Sequence, residues 1–147
     1  MSNYCSLVPE LYCTDLQLSL QFYCNILGFV VDYQRPEEGF AYIIREGARL
    51  MLEVVRWGSE RTWLTAPLER PFGRGINLQI SVEQVDKLYA TVQRAGISIF
   101  WPLEEKWYRT NESYVGSRQF VIEDPDGYLL RFAESIGTRM SLTGVDS

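Results

Sequence analysis

Asp15-Leu16-Gln17-Leu18-Ser19-Leu20-Gln21-Phe22-Tyr23-Cys24-Asn25-Ile26-Leu27-Gly28-Phe29 decides the fold, because its grammar recurs further along the chain. Asp15 suits a helix N-cap, since its carboxylate can accept from the free amides of the first turn. Leu16, Leu20, Tyr23, Ile26 and Leu27 follow at helical spacing. Gly28 closes the helix where a left-handed residue is needed. In the second occurrence Val85, Leu88, Tyr89 and Val92 mark one face of a helix over Val85–Ala95, and Gly96 closes it. The two closing glycines lie 96 − 28 = 68 positions apart.

The flanks repeat as well. The first pattern reads as a strand over Leu7–Cys13, the helix, a strand over Phe29–Tyr33, a polar turn at Arg35–Gly39, and two strands (Phe40–Arg45 and Arg49–Arg56) joined by Glu46-Gly47. The second reads as Ile76–Val82, the helix, Ile97–Trp101, a long polar loop Pro102–Gly116, and the strands Ser117–Glu123 and Tyr128–Ala133. These last two are joined by Asp124-Pro125-Asp126-Gly127, in which Asp caps the turn, Pro fixes φ and Gly takes a positive φ. The tail from Ser135 on reads as polar and mobile. The expectation is one α+β domain over 1–147, built from two tandem βαβββ modules (7–56 and 76–134) with a linker over 57–75. Each module forms a curved, partly open mixed sheet.

Composition narrows the chemistry. The 147 residues contain no histidine. That excludes Ser-His-Asp and Cys-His nucleophile systems and histidine-ligated metals. Lysine and arginine number 14 against 19 acidic residues, so 14 − 19 = −5. Such a balance disfavours nucleic acid and anionic membranes and suits a cationic ligand. Cys5, Cys13 and Cys24 form no C-x-x-C pair and read as reduced thiols. Met1-Ser2-Asn3-Tyr4-Cys5 lacks a basic, apolar leader, and no apolar run reaches the ~18 residues of a membrane span. The expected location is the cytoplasm.

Several motifs resemble a known group. Val8-Pro9-Glu10-Leu11, Thr14-Asp15, Ser19, Phe22-Tyr23 and Leu27-Gly28-Phe29 resemble the opening of the vicinal oxygen chelate superfamily, which includes glyoxalase I, extradiol dioxygenases, fosfomycin-resistance enzymes and bleomycin resistance proteins. Arg118-Gln119-Phe120 and Asp124–Phe132 resemble its C-terminal signature. The resemblance implies the glyoxalase/bleomycin resistance fold. It implies function weakly, because one fold hosts many activities. Metal-dependent members place His, Glu, His and Glu at positions that match Val8, approximately Glu53, Asn77 and Arg131 in this chain. Only Glu53 is an ordinary ligand, and a guanidinium repels a divalent cation. No catalytic residue, metal or cofactor is implied.

Arg131 after Tyr128-Leu129-Leu130 resembles bleomycin resistance proteins in particular. These are non-catalytic dimers that trap a cationic, flat-ringed glycopeptide antibiotic in crevices between subunits. The resemblance therefore implies a homodimer that sequesters a cationic aromatic small molecule. The ligand-binding candidates are Glu10, Glu53, Asn77, Trp101, Trp107 and Arg131. Glu10 and Glu53 would form an acidic floor or pair with Arg131. Trp101 and Trp107 would bracket a crevice-lining loop or plug an interface, whereas Trp57 and Trp63 suit packing. Tyr108, Arg109 and Tyr114 suit a solvated loop. The segment Arg70–Gly75 suits a structural crossing. The alternatives left open are a metal-dependent lyase, transferase or dioxygenase, and a regulatory member with another ligand.

Overall fold

The structure is a computed structural model that describes residues 5–141. The expectations for Met1–Tyr4 and for the tail over 142–147 lie outside the described residues. The chain forms two units. One takes the chain up to Arg74 together with Asp124–Tyr128; the other takes Gly75–Glu123 and the chain from Leu129 on.

In the first unit β1 (Glu10–Cys13) leads into α1 (Leu16–Leu20), which widens into a π-helical turn over Gln21–Ile26. β2 (Val30–Arg35), β3 (Phe40–Arg45) and β4 (Ala48–Val54) follow. The sheet order is β1-β4-β3-β2. β1 runs parallel to β4, as its helical crossover requires, and the other pairs are antiparallel. Asp15 caps α1 as expected, accepting from Leu18 N–H at 3.1 Å. The helix widens where two adjacent aromatic residues must both enter the core: Phe22 and Tyr23 are buried, and Leu27 N–H reaches back to the Phe22 carbonyl at 3.2 Å. The Tyr23 ring packs edge-on against Phe22 and Phe29.

The second unit contains β5 (Asn77–Ser81), α2 (Val85–Arg94), β6 (Ile99–Thr110), β7 (Ser113–Glu123) and β8 (Leu129–Arg139), with sheet order β5-β8-β7-β6. Two expectations are corrected. Pro102–Gly116 is no loop: β6 and β7 form a long hairpin that turns at Asn111-Glu112, with Asn111 at φ 58°. Pro102 hid this, yet it falls in the register shift between Trp101 and Glu104, where its missing N–H breaks no regular ladder bond. The tail from Ser135 is no loose end as far as Arg139, which pairs with Tyr114. Gly116 lets this extension close, because a Cβ there would stand 2.6 Å from Ile136 and 2.8 Å from Trp107. Among the described residues no helix is long and apolar enough to cross a membrane.

The turn Asp124–Tyr128 belongs by sequence to the second repeat and packs in the first unit. Asp124 accepts from the N–H groups of Asp126 (2.9 Å) and Tyr128 (3.0 Å) and from the Tyr23 hydroxyl (2.7 Å). Burial raises its carboxyl, and these hydrogen bonds offset part of the rise. Asp126 accepts from the Thr14 N–H and hydroxyl and from Arg70 Nη2 (2.9 Å). The Arg70–Gly75 segment does act structurally: Phe72 and Gly73 N–H donate to the Asp126 and Gly127 carbonyls. Replacing Asp126 by Ala strips the acceptor from Thr14 and Arg70 together. Its expected cost is about 3 kcal/mol in urea denaturation, against less than about 0.5 kcal/mol for Asp32→Ala on an exposed strand. Equal costs would contradict the clamp.

Candidate functional site

In the second unit Phe120, Ile122, Leu130 and Phe132 are fully buried. Phe120 stacks on Phe132 and meets Tyr89 of α2 at 5.0 Å between ring centroids. Strand alternation therefore sends Gln119, Val121, Leu129 and Arg131 to the opposite face. The register aligns Arg131 with Val121 on one side and with Gln79 on the other, and Leu129 with Asn77. A cavity of about 240 Å³ opens on this face, lined by Asn77, Phe100, Trp101, Glu104, Tyr108, Gln119, Val121, Leu129 and Arg131. Two register shifts, between Ile99 and Trp101 and between Trp101 and Glu104, break the alternation of β6. They let the neighbouring rings of Phe100 and Trp101 both reach the cavity, 55% and 53% exposed.

Gln119 organises the polar wall. Its Nε2 donates to Glu104 Oε2 (3.1 Å) and to the Tyr108 hydroxyl (2.6 Å), and its Oε1 accepts from the Ser117 hydroxyl (2.9 Å). Arg131 lies outside that network. Its Nε is buried without an acceptor among the described residues.

The first unit carries a separate pocket of about 250 Å³, lined by Glu10, Glu38, Glu53, Arg35, Arg56, Arg61, Phe40, Ser59 and Trp63. Glu10 pairs with Met51 across the parallel ladder, so Glu53, two residues on, shares its face. Burial, then hydrogen bonding and repulsion from Glu10, raise the Glu53 carboxyl; Arg56 counters part of this. The guanidinium of Arg61 sits 5.0 Å from the Trp63 ring, and Trp63 N–H donates to the Tyr12 hydroxyl (2.8 Å).

Asn77, Trp101 and Arg131 thus meet in one cavity, while Glu10 and Glu53 meet in the other unit's pocket. Trp107 is corrected: it is 6% exposed on β6, packed on Gly116 with Arg139 4.3 Å from its ring, and belongs to the core. Trp57 and Trp63, read as packing residues, are exposed. Phe100, Glu104 and Gln119 were not among the candidates, and Tyr108 was assigned to solvent. A strand reading of 102–116 would have placed Glu104 and Tyr108 on one face.

The donor set does not fit a divalent metal. Val8 has no donor atom, Arg131 is cationic, and among the described residues no three His, Cys, Asp or Glu side chains cluster. Cys13 is no nucleophile: burial and the Asp126 charge push its thiol up to about 12. A raised carboxyl makes the folded state bind more protons than the unfolded one, so stability falls as pH rises from the ordinary glutamate range through the Glu53 value. Glu53→Gln is expected to abolish that fall and to add about 0.2–1 kcal/mol at pH 7. Denaturation at pH 4 and pH 7 tests this, and a loss of stability at pH 7 would contradict it.

A family model described as Glyoxalase/Bleomycin resistance protein/Dioxygenase superfamily matches residues 4–132. The bleomycin resistance proteins of Geobacillus stearothermophilus and Staphylococcus aureus are each 28% identical over 141 residues, covering 88% of this chain and 96% of the relative. Among solved structures, TioX from Micromonospora sp. ML1 shares the fold at a TM-score of 0.69 and 23% identity, covering 90% of this chain and 100% of that one.

Proposed function

The chain belongs to the glyoxalase/bleomycin resistance protein/dioxygenase superfamily. From that premise we propose that it is a non-catalytic protein that captures a planar aromatic small molecule, with bleomycin-type antibiotics as first candidates. One observation carries the reading: Phe100 and Trp101 both line a cavity with an organised polar wall. Flat ligands gain from stacking on such rings, and cations gain from their faces.

The cationic preference rests on the net charge of −5 and on Glu104, Glu10 and Glu53. Each cavity also holds arginines, one beside Glu104 and three beside Glu10, Glu38 and Glu53. The rings therefore support the reading more strongly than the charge does. The metal-dependent lyase, transferase or dioxygenase alternative has the fold behind it and lacks a donor set. A homodimer is part of the proposal. The edge strand β2, with Val30, Val31 and Tyr33 exposed, offers apolar surface for it.

Titration with bleomycin, followed by tryptophan fluorescence, is expected to saturate. Trp101→Ala should weaken binding about tenfold or more without changing stability. Trp107→Ala should instead lower stability by about 3–5 kcal/mol. A flat titration would remove bleomycin as the ligand, and equal binding by wild type and Trp101→Ala would remove this cavity as the site. Sedimentation is expected to show a species of twice the 17.0 kDa chain mass; a lone monomer would contradict the dimer.

A further inference from the structure

We propose that Arg131 gives the second unit's cavity a recognition element beside its rings, a seat for an anionic group, so that among planar aromatic molecules it prefers those carrying a carboxylate, sulfonate or phosphate. The inference rests on the ring platform of the capture reading above and, for this cavity, replaces its cationic preference with an anionic one. Arg131 stands on β8, an inner strand of β5-β8-β7-β6, flanked by Gln79 and Val121. A guanidinium keeps its charge at any working pH and presents its N–H groups as a rigid fork. Its Nε is cut off from solvent with no acceptor, and no hydrogen bond or ion pair engages the rest of the group among the described residues.

The other arginines of this unit are engaged. Arg118 forks onto Asp86 and reaches Glu105; Arg94 donates to Thr91, Arg109 to the Asn111 carbonyl, and Arg139 lies over Trp107. Arg131 is thus the one described arginine of the unit left without a partner, and it faces the cavity that holds Phe100 and Trp101. The nearby acid does not quench it: Glu104 forms no ion pair with Arg131 and accepts instead from Gln119 Nε2. The cavity therefore offers a ring platform, an unengaged fork donor and a fixed polar wall. An aromatic acid uses the first two at once, and its anion would form charge-assisted, paired hydrogen bonds with the fork.

Two fluorescent dyes of matched ring system test this: anilinonaphthalene sulfonate, which is anionic, and N-phenylnaphthylamine, which is neutral. Wild-type protein is expected to bind the sulfonate about tenfold more tightly than the neutral dye. Arg131→Gln should weaken the sulfonate about tenfold and leave the neutral dye within about twofold, with Arg131→Lys between. Thermal midpoints of both variants should match wild type, because the guanidinium holds nothing else. If the sulfonate binds Arg131→Gln and Arg131→Lys as it binds wild type, the inference is overturned while Trp101-dependent neutral binding keeps the capture reading. If neither dye binds wild type, both fall. If both variants lose midpoint stability, Arg131 is structural and the inference is likewise overturned.

Discussion

A β-strand has two faces, and each four-stranded sheet of this chain has one helix to cover it. That constraint underlies the rest. In the second unit α2 takes the side on which Phe120, Ile122, Leu130 and Phe132 point, and their burial supplies much of that unit's hydrophobic stabilisation. The register then leaves Gln119, Val121, Leu129 and Arg131 on the other side. An uncovered face that carries the cavity is thus the geometric remainder of core formation. The chain has only to choose which side chains occupy it.

Those choices differ between the units. The first unit's pocket mixes three glutamates with three arginines, and Arg35 is already tied to Glu38. It is a place of mixed charge in which burial and the neighbouring Glu10 raise the Glu53 carboxyl. The second unit's cavity is sparer, with three exposed rings, one engaged glutamate and one arginine with no partner among the described residues. Packing and cavity lining are separated along the same strands: Trp107 and Gly116 pack within the β6–β7 hairpin, while Trp101 and Tyr108, on the same β6, line the cavity.

Much of this was legible in the sequence. Asp15, Gly28, Gly96 and the Asp-Pro-Asp-Gly turn act locally, so their residue types announce their backbone roles. The repeated order of elements followed from them. The site was legible only in part. Asn77, Trp101 and Arg131, candidates in the sequence, line one cavity, but Phe100 is delivered to it by a bulge, and bulges leave no period to read. Trp107 was misassigned because Pro102 and the run Glu104-Glu105-Lys106 read as a loop, whereas long-range pairing with β7 makes them a strand. Trp57 and Trp63 were expected to pack because tryptophan usually does; nothing in their local sequence signals their exposure.

The central claim is that the helix-free face of the second unit takes a flat ligand between its rings and Arg131. The indole N–H resonances of the four tryptophans, followed by NMR as anilinonaphthalene sulfonate is added, test it most directly. The account predicts that the Trp101 signal moves and saturates while buried Trp107 stays within its line width. Movement confined to Trp57 and Trp63, with Trp101 unchanged, would contradict it.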